Sequence, residues 1–333
     1  MRNKKLLVIG STCVDVIIKL DHLPKTGEDM HPEWQHFAMG GCAYNVTKIP
    51  RGCGIDVTLV TPVGTEGVYS GFVNENLLKM GFKGPVTVEG AENGCCYCFV
   101  EKDGERTFVS VHGVEYSFHE PYMENLKGQS FDYTYICGLE VEEESGFELI
   151  EWLEKHLRYD TSDSLSFVGT ENPDNKHDEI SAGTLVYAPG PRGVHISPDK
   201  NERIFALNPV LHLNEEEAMA LSGAKTPEDA ASKLQEKSRN LIVITLGEKG
   251  VLWMEKDGSL HRMPSKKAVV KDTIGAGDSH CGALLTGMCM EWSMEKTMSF
   301  ANAISGKVVS REGASLPDAE IMKVYDELSS SAV

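Results

Sequence analysis

The sequence predicts an α/β protein with a mostly parallel central sheet, helices packed over that sheet, and a small separate β-sheet. Short β-branched runs alternate with amphipathic helical stretches, which is the pattern of parallel strands joined by crossover helices. Two pairs of strand-like runs flank Asp-Gly dipeptides, which supply the positive φ that tight hairpin turns need. The length of 333 residues, with 41% hydrophobic and 25% charged residues, suits one large globular domain.

The predicted elements of the main domain follow one another along the whole chain. Strands are predicted at residues 6–10, 58–63, 133–137, 185–188 and 241–246. Helices are predicted at residues 43–51, 69–80, 145–157, 215–222, 227–238, 278–290 and 293–310. A hairpin is predicted from residues 251–255 and 259–263, which flank Asp257-Gly258.

The other hairpin, residues 95–100 and 106–111 around Asp103-Gly104, interrupts the alternation of strands and helices. An extended stretch at residues 14–20 interrupts it as well. Together these segments predict a small β-sheet set apart from the main domain, formed from parts of residues 14–40 and 95–112. A sheet placed in this way is a candidate lid.

Residues 161–183 are polar, weakly patterned and lie between a helix and a strand. Links of this kind usually take roughly 2–6 residues, so the segment is predicted to be an insertion. It enters at the N-terminal end of a strand, whereas ligands of open α/β sheets bind beyond the C-terminal ends. We therefore expect a surface insertion that takes no part in catalysis.

The charge balance excludes some classes of partner. A formal net charge of −18 argues against non-specific binding to nucleic acid or to anionic membranes, because both need a basic patch. No apolar run approaches the ~20 residues of a membrane helix. The apolar run at residues 6–10 is too short for a signal peptide and is soon followed by Asp15, so a cytoplasmic protein is expected.

The nine cysteines follow no disulfide or zinc-finger spacing. They are expected to be small buried apolar side chains in a reducing compartment. In the strand-like run at residues 95–100, alternation places Cys96 and Cys98 on one face and Cys95 on the other. Three adjacent thiols in this arrangement do not easily surround one tetrahedral zinc ion.

The segment that carries most chemical information is Asp272-Thr273-Ile274-Gly275-Ala276-Gly277-Asp278, which precedes a predicted buried helix. The glycines let the backbone turn tightly, and the amides at the helix start form an anion site. Taken alone, Asp278 is more simply explained as a helix cap. A carboxylate beside such amides can also accept a proton from an attacking hydroxyl during phosphoryl transfer. The chain has no P-loop and no Gly-x-Gly-x-x-Gly fingerprint, so any ATP phosphates are best placed here.

This segment resembles the C-terminal signature of the ribokinase/PfkB carbohydrate kinase family. Four further segments resemble the family in the right order over nearly the whole chain: Gly10-Ser11 with Asp15, residues 40–45, residues 214–217 and residues 245–250. The resemblance implies one ribokinase-like domain over residues 1–333, with a three-layer α/β/α architecture and a β-sheet lid. It implies an ATP- and Mg²⁺-dependent kinase that phosphorylates a hydroxyl, expected to be a primary one, of a small sugar-like molecule.

The resemblance also implies a role for each matched residue at the catalytic and nucleotide end. Asp278 would be the general base, and the amides from Gly275 through Ala276 to Gly277 would form the anion hole. The other implied groups are Glu217, acting on Mg²⁺ through water with Asn214, Thr245 and Gly247 near the nucleotide, and Asn302 beside the adenine.

On the acceptor side, the resemblance implies that Asp15, Gly41 and Asn45 contact substrate hydroxyls, with Glu140 as a further functional acid. Many members of the family bind a monovalent cation beside the anion hole. The matching positions for K⁺ are Asp272, the backbone of Ile274, and Ser315. Pairing of two lids into a homodimer is also implied.

The sequence departs from ribokinase around the acceptor. Cys42 replaces the lysine of the ribokinase Gly-Gly-Lys-Gly-Ala-Asn signature, and Cys13 replaces an asparagine near the sugar. Arg192 could pair with an anionic acceptor group. A sugar, a sugar acid or a nucleoside therefore stays open, and so does a silent ligand-binding relative. A nucleoside would need an aromatic shelf, for which Trp34, Phe37 and Phe108 are candidates.

Overall fold

The computed structural model describes residues 3–82, 85–157, 180–311, 313 and 316–329. Within them the strands are β1 (Lys5–Ile9), β2 (Cys13–Lys19), β3 (Trp34–Gly40), β4 (Asp56–Val60), β5 (Pro62–Gly64), β6 (Val86–Val88), β7 (Cys95–Val100), β8 (Arg106–Val111), β9 (Tyr133–Cys137), β10 (Thr184–Ala188), β11 (Val210–Asn214), β12 (Ile242–Thr245), β13 (Val251–Met254) and β14 (Leu260–Met263). The α-helices are α1 (Cys42–Gly52), α2 (Gly67–Lys79), α3 (Gly138–Glu142), α4 (Gly146–His156), α5 (Pro198–Ala206), α6 (Glu215–Ser222), α7 (Pro227–Ser238), α8 (Ala276–Cys289), α9 (Met294–Val308) and α10 (Asp318–Ser329). None of these helices is long and apolar enough to cross a membrane.

Eight strands form the central sheet in the order β14-β13-β12-β11-β10-β9-β1-β4. Pairing is parallel from β12 to β4, and the β13–β14 hairpin adds two antiparallel strands at one edge. The predicted mostly parallel sheet is confirmed. Helices α3, α5 and α10 and strands β6 and β11 were not predicted from the sequence.

Helices cover both faces of this sheet, which confirms the three-layer architecture. Along β1, Leu7 and Ile9 pack with α4, α5 and α7, while Leu6 and Val8 pack with α1 and α8. Successive strand residues point to opposite faces, so a fully apolar run such as β1 fits a sheet that is buried on both sides.

The predicted lid is a separate four-stranded sheet in the order β3-β2-β7-β8. The lid sheet packs on the main domain, since Val14 and Cys95 form a buried cluster with Val73 and Leu77 of α2. One predicted strand, residues 58–63, is divided in the structure. β4 ends at Val60 in the central sheet, and β5 begins at Pro62 in a two-stranded sheet with β6, because proline cannot donate a ladder hydrogen bond.

The predicted insertion at residues 161–183 lies outside the described residues except for its last four positions. Its flanks are described. The amide of Ala182 donates to the carbonyl of His156 at 2.8 Å, so the end of α4 and the approach to β10 lie side by side. These flanks lie at the amino-terminal end of β10. The site described below lies at the other end, where the parallel strands have their carboxyl ends.

Candidate active site

A cavity of about 550 Å³ lies between the carboxyl ends of the parallel strands and the lid. Parallel strands present their carboxyl ends at one edge, which is where open α/β sheets bind ligands. The structure brings eleven of the predicted site residues to this cavity: Asp15, Gly41, Asn45, Arg192, Asn214, Glu217, Thr245, Ile274, Gly275, Gly277 and Asp278.

Asp278 lies in the first turn of α8. The helix begins at Ala276 after Gly275, whose φ of 69° is left-handed and favours glycine. The first amides of a helix have no carbonyl partner within it, so they can bind an anion that enters the cavity. Asn45 Nδ2 donates to Asp278 Oδ2 at 2.9 Å and fixes the carboxylate beside these amides.

Burial raises the pKa of Asp278 above the ordinary aspartate value, while hydrogen bonds from Asn45 and Cys42 oppose that rise. A carboxylate with a raised pKa is a better proton acceptor than an ordinary exposed one, provided that it stays ionised. Proton transfer and anion binding are thus available within one turn of helix.

The start of α1 forms the opposite wall. Gly41 has a φ of 99°, and a Cβ atom there would lie 2.4 Å from the carbonyl oxygen of Ser11, so only glycine fits. This close approach brings Asn45, one turn into α1, to the cavity. Its Oδ1 atom is buried and has no hydrogen-bond partner, which leaves it available to a hydroxyl donor of a ligand.

Asp15 reaches the cavity from β2 in the lid. Burial, with a smaller contribution from the negative charge of Asp278, raises its pKa from 3.8 to about 6. At neutral pH the ionised carboxylate therefore costs folding free energy, and a buried charge of this kind needs a binding partner to offset its lost hydration.

We predict that Asp15→Asn stabilises the free protein while weakening acceptor binding. The native pKa is raised, so the carboxyl favours folding at low pH, and that contribution is lost as pH rises from about 4 through about 6. One pKa unit corresponds to about 1.4 kcal/mol, so the variant should gain up to roughly 3 kcal/mol above pH 6. Urea unfolding between pH 5 and pH 8 measures this gain, with the exposed Asp29→Asn as control. An equal gain at every pH would contradict the assignment.

Asn214 and Glu217 cap α6 reciprocally. Asn214 Oδ1 accepts from the amide of Glu217 at 2.8 Å, and Glu217 Oε2 accepts from the amide of Asn214 at 3.0 Å. Burial raises the pKa of Glu217, and the charge of Asp278 adds to the effect. The carboxylates of Glu217 and Asp278 face the same cavity. Together with Asn214 they fit a Mg²⁺ ion that keeps most of its water shell.

Five predicted site residues that the structure describes do not line the cavity: Glu140, Gly247, Asp272, Ala276 and Asn302. Glu140 is fully buried, and its carboxylate accepts from the amides of Ser11 at 2.7 Å and Cys137 at 3.1 Å, so it fixes the loops behind the wall. Asn302 donates to the carbonyl of Pro264 at 3.5 Å. Ala276 lies between the lining residues Gly275 and Gly277, and Gly247 lies two residues after the lining residue Thr245.

Asp272, the predicted K⁺ ligand, has partners on both oxygens. Oδ1 accepts from the amide of Ile274 at 2.8 Å, and Oδ2 accepts from the amide of Gly313 at 2.7 Å. The Arg106 guanidinium of β8 contacts Oδ2 at 2.8 Å, with the Asp272 side chain only 1% exposed. This arrangement does not fit a cation bound to the same carboxylate, because its charge is already compensated. Ser315 lies outside the described residues.

The Arg106–Asp272 ion pair and the thiol content of the cavity were not predicted from the sequence. Six of the nine cysteines line it: Cys13, Cys42, Cys96, Cys98, Cys137 and Cys281. They were expected to be inert core residues, and most are indeed buried. Alternation along β7 had grouped Cys96 with Cys98, but only the tertiary structure shows that this face meets the ligand space.

The cavity is poor in positive charge. Among the described residues that line it, Arg192 carries the only formal cation, and its guanidinium forms a bidentate ion pair with Glu142, including an Nε–Oε2 contact of 2.6 Å. Asp15, Glu217 and Asp278 are acidic. The described lining therefore offers an anion backbone amides but no unpaired cationic side chain.

Comparison with known proteins assigns the chain to a family. A family model described as pfkB family carbohydrate kinase matches residues 3–168 and 190–321. The chain belongs to this family. This pfkB kinase is 29% identical over 316 residues to the uncharacterized sugar kinase YegV of Escherichia coli (strain K12), a match that covers 93% of this chain and 90% of the relative. It is 24% identical to mouse ribokinase, over 92% of this chain and 90% of that enzyme.

Solved structures share the fold of this pfkB kinase. The ribokinase of Thermotoga maritima matches with a TM-score of 0.77 and 24% identity, over 96% of this chain and 99% of that chain. The nucleoside kinase of Burkholderia thailandensis in complex with inosine matches with a TM-score of 0.72 and 15% identity, over 97% of each chain. Both confirm the ribokinase-like fold.

Proposed function

We propose that this kinase transfers the γ-phosphoryl group of ATP to a hydroxyl, a primary one, of a neutral sugar or sugar derivative. The observation that carries the proposal is the juxtaposition of the Asp278 carboxylate with the first-turn amides of α8 at the cavity, of which the Ala276 amide also donates to the carbonyl of Thr273 at 3.3 Å. Asp278 accepts the proton of the acceptor hydroxyl, and the amides of residues 275–277 hold the developing charge on the transferred group.

The nucleotide would lie on the α8 side of the cavity. Asn214 and Glu217 would orient Mg²⁺ through its water ligands, and this ion would neutralise phosphate charge that no lysine or arginine of the lining meets. Thr245 ends β12 and Gly247 lies in the turn after it, and both would border the nucleotide, with Asn302 farther back.

The acceptor would lie between the lid and α1. Asp15 and the unpartnered Oδ1 of Asn45 would accept hydrogen bonds from its hydroxyls, and Gly41 would allow close approach of the backbone. Arg192 is already paired with Glu142. An acceptor that carries an anionic group of its own would therefore find no unpaired cation in the described lining of the cavity. This favours a neutral acceptor over a sugar phosphate or a sugar acid. Glu140 would act as a positioning residue.

A nucleoside acceptor is the second candidate. Phe108 and Tyr116 line the cavity, whereas Trp34 and Phe37 do not, so Phe108 can offer the aromatic shelf that a base needs. Solved relatives of the same fold carry ribose with ATP in one case and inosine in another.

Coupled ADP release over matched acceptors tests this proposal. We expect kcat/KM for the best neutral pentose, hexose or nucleoside to exceed, by at least about tenfold, that of an anionic partner that keeps the primary hydroxyl free, namely the sugar 1-phosphate, the aldonic acid or the nucleoside 3′-phosphate, because the acidic cavity repels an anionic acceptor. A preference for the anionic partner of each pair would contradict the neutral-acceptor assignment.

We also propose that the kinase needs no monovalent cation. The Arg106 guanidinium supplies the positive charge at Asp272 that K⁺ would otherwise bring, and it does so from the lid. The contact between Arg106 and Asp272 would thus hold the lid sheet against the loop that carries the anion hole.

We propose that two lids pair in a homodimer. β8 is an edge strand of the lid sheet, and its Val109 and Val111 are 51% and 52% exposed. Exposed apolar edges of this kind associate unless they are covered. Light scattering should give twice the chain mass for the full protein and one chain mass for Val109→Lys. A monomeric parent protein would refute the dimer.

A further inference from the structure

Three ligand atoms cluster in the acceptor half of the cavity. The carboxylate of Asp15 and the sulfurs of Cys96 and Cys98 all lie within 4.8 Å of one another. Among the described residues, this is the one such group of three or more histidine, cysteine, aspartate or glutamate ligand atoms. The register of the lid sheet explains it, because Asp15 of β2 pairs with Cys96 of β7 and Cys98 follows two residues later on the same face.

The spacing of the sulfurs fits a tetrahedral metal ion. Cys96 Sγ and Cys98 Sγ are 3.8 Å apart. Two sulfurs bound at about 2.3 Å to one tetrahedral zinc ion lie about 3.8 Å apart, so zinc could enter with little movement of either thiol. The Cys95 sulfur, which packs into the core on the other face, takes no part.

Charge and hydrogen bonding also favour a cation at this place. Asp15 and Asp278 face the cavity without a free cation in its described lining, so the local potential is negative. The Cys96 sulfur already accepts from the Cys98 thiol at 3.8 Å and from the Ser110 hydroxyl at 3.6 Å. The Ser110 hydroxyl can stay hydrogen-bonded to the Cys96 sulfur when both thiols lose their protons to a metal ion, and would then orient that ligand.

We propose that Asp15, Cys96 and Cys98 bind one zinc ion or a similar thiophilic divalent ion, with a fourth position open to water. Such a site has three protein ligands and an exchangeable one. Binding displaces protons from the two thiols, so affinity rises with pH. The sequence-based objection to zinc concerned three thiols of one strand, whereas this site takes two of them and completes the set from the neighbouring strand.

The consequence for catalysis rests on the proposed function. Asp15 cannot ligate zinc and accept acceptor hydroxyls at the same time, so zinc should inhibit in competition with the acceptor. The apparent KM for the acceptor should rise with zinc concentration, while kcat at saturating acceptor stays unchanged.

Cobalt(II) substitution tests the metal site without any assay of activity. The full chain, reduced and freed of metal, is titrated with cobalt(II) and then with zinc(II). We expect one equivalent of cobalt to give a thiolate-to-cobalt charge-transfer band and tetrahedral d–d absorption, both abolished by zinc. Absence of the charge-transfer band in the folded parent protein would overturn the proposal.

Variants of one strand give matched controls. Cys96→Ser and Cys98→Ser should each weaken cobalt and zinc binding by more than roughly 100-fold, since even outer partners of a ligand change affinity 10- to 100-fold. Cys95→Ala, one residue away on the opposite face, should bind both metals as the parent does. If Cys95→Ala loses binding equally, or if both serine variants retain it, the assignment is wrong. Failure to find any acceptor would refute the proposed function and leave the cobalt result standing.

Discussion

Asp278→Asn should lower kcat by about 10²- to 10⁴-fold, because this is the usual contribution of a positioned general base. The amide keeps the size of the carboxylate and can still accept from Asn45 Nδ2, which is 2.9 Å from Asp278 Oδ2 in the parent. The affinity of the Asp278→Asn variant for ATP should be nearly unchanged, since nucleotide binding depends on the amides of α8 and on magnesium. Steady-state kinetics and calorimetric titration with an ATP analogue measure the two effects.

The exposed Asp257→Asn, in the β13–β14 turn, is the matched control and should keep full activity. The pH profile gives a second test. Because the active form of Asp278 is ionised and burial raises its pKa, the rate should rise with pH through a pKa above that of an ordinary aspartate and then level off. Turnover that survives in Asp278→Asn would show that another group accepts the proton.

Arg106→Ala should make a cation-independent kinase depend on potassium. In the parent, Arg106 contacts Asp272 Oδ2 at 2.8 Å, so turnover should be equal in potassium, sodium and tetramethylammonium salts. Removing the guanidinium leaves a buried carboxylate without its counter-charge, which strongly destabilises the loop that carries the anion hole. We expect kcat/KM to fall by roughly 10- to 100-fold without potassium, less than after loss of a direct oxyanion donor.

Partial restoration by potassium alone is the result that a merely structural role would not produce. Arg106→Lys keeps the charge and should lose less activity than Arg106→Ala. The exposed Arg262→Ala, which loses a surface ion pair with Glu228, controls for the removal of an arginine and should behave like the parent. A parent protein that itself requires potassium would contradict the assignment of Arg106.

Local chemistry made several elements predictable to the residue. α6 begins where Asn214 and Glu217 form a capping box, and α7 begins with Pro227 after the N-cap Thr226. β9 is an uninterrupted buried run with its predicted bounds. The division of residues 58–63 was predictable in principle from Pro62, but the assignment of its halves to two sheets depends on tertiary packing.

The site was predictable where its residues are neighbours in sequence, because their arrangement then follows from local backbone geometry. The glycines and the aspartate at the start of α8 are such a case. The site was not predictable where function depends on contacts between distant segments. Arg106 and Asp272 are far apart in sequence, and nothing in the β7–β8 hairpin indicates which carboxylate it will meet. Glu140 illustrates the same limit, because its position after β9 did not reveal that its carboxylate would turn toward the amides of Ser11 and Cys137.

Direct transfer of the γ-phosphoryl group tests the central claim most closely. The full protein is incubated with γ-labelled ATP, magnesium and neutral sugars or nucleosides, and the products are separated and identified. The structure predicts at least one acceptor that gains the label on a hydroxyl in a one-to-one ratio with ADP. Release of labelled inorganic phosphate alone, or no transfer to any neutral or anionic acceptor by the folded protein, would contradict it.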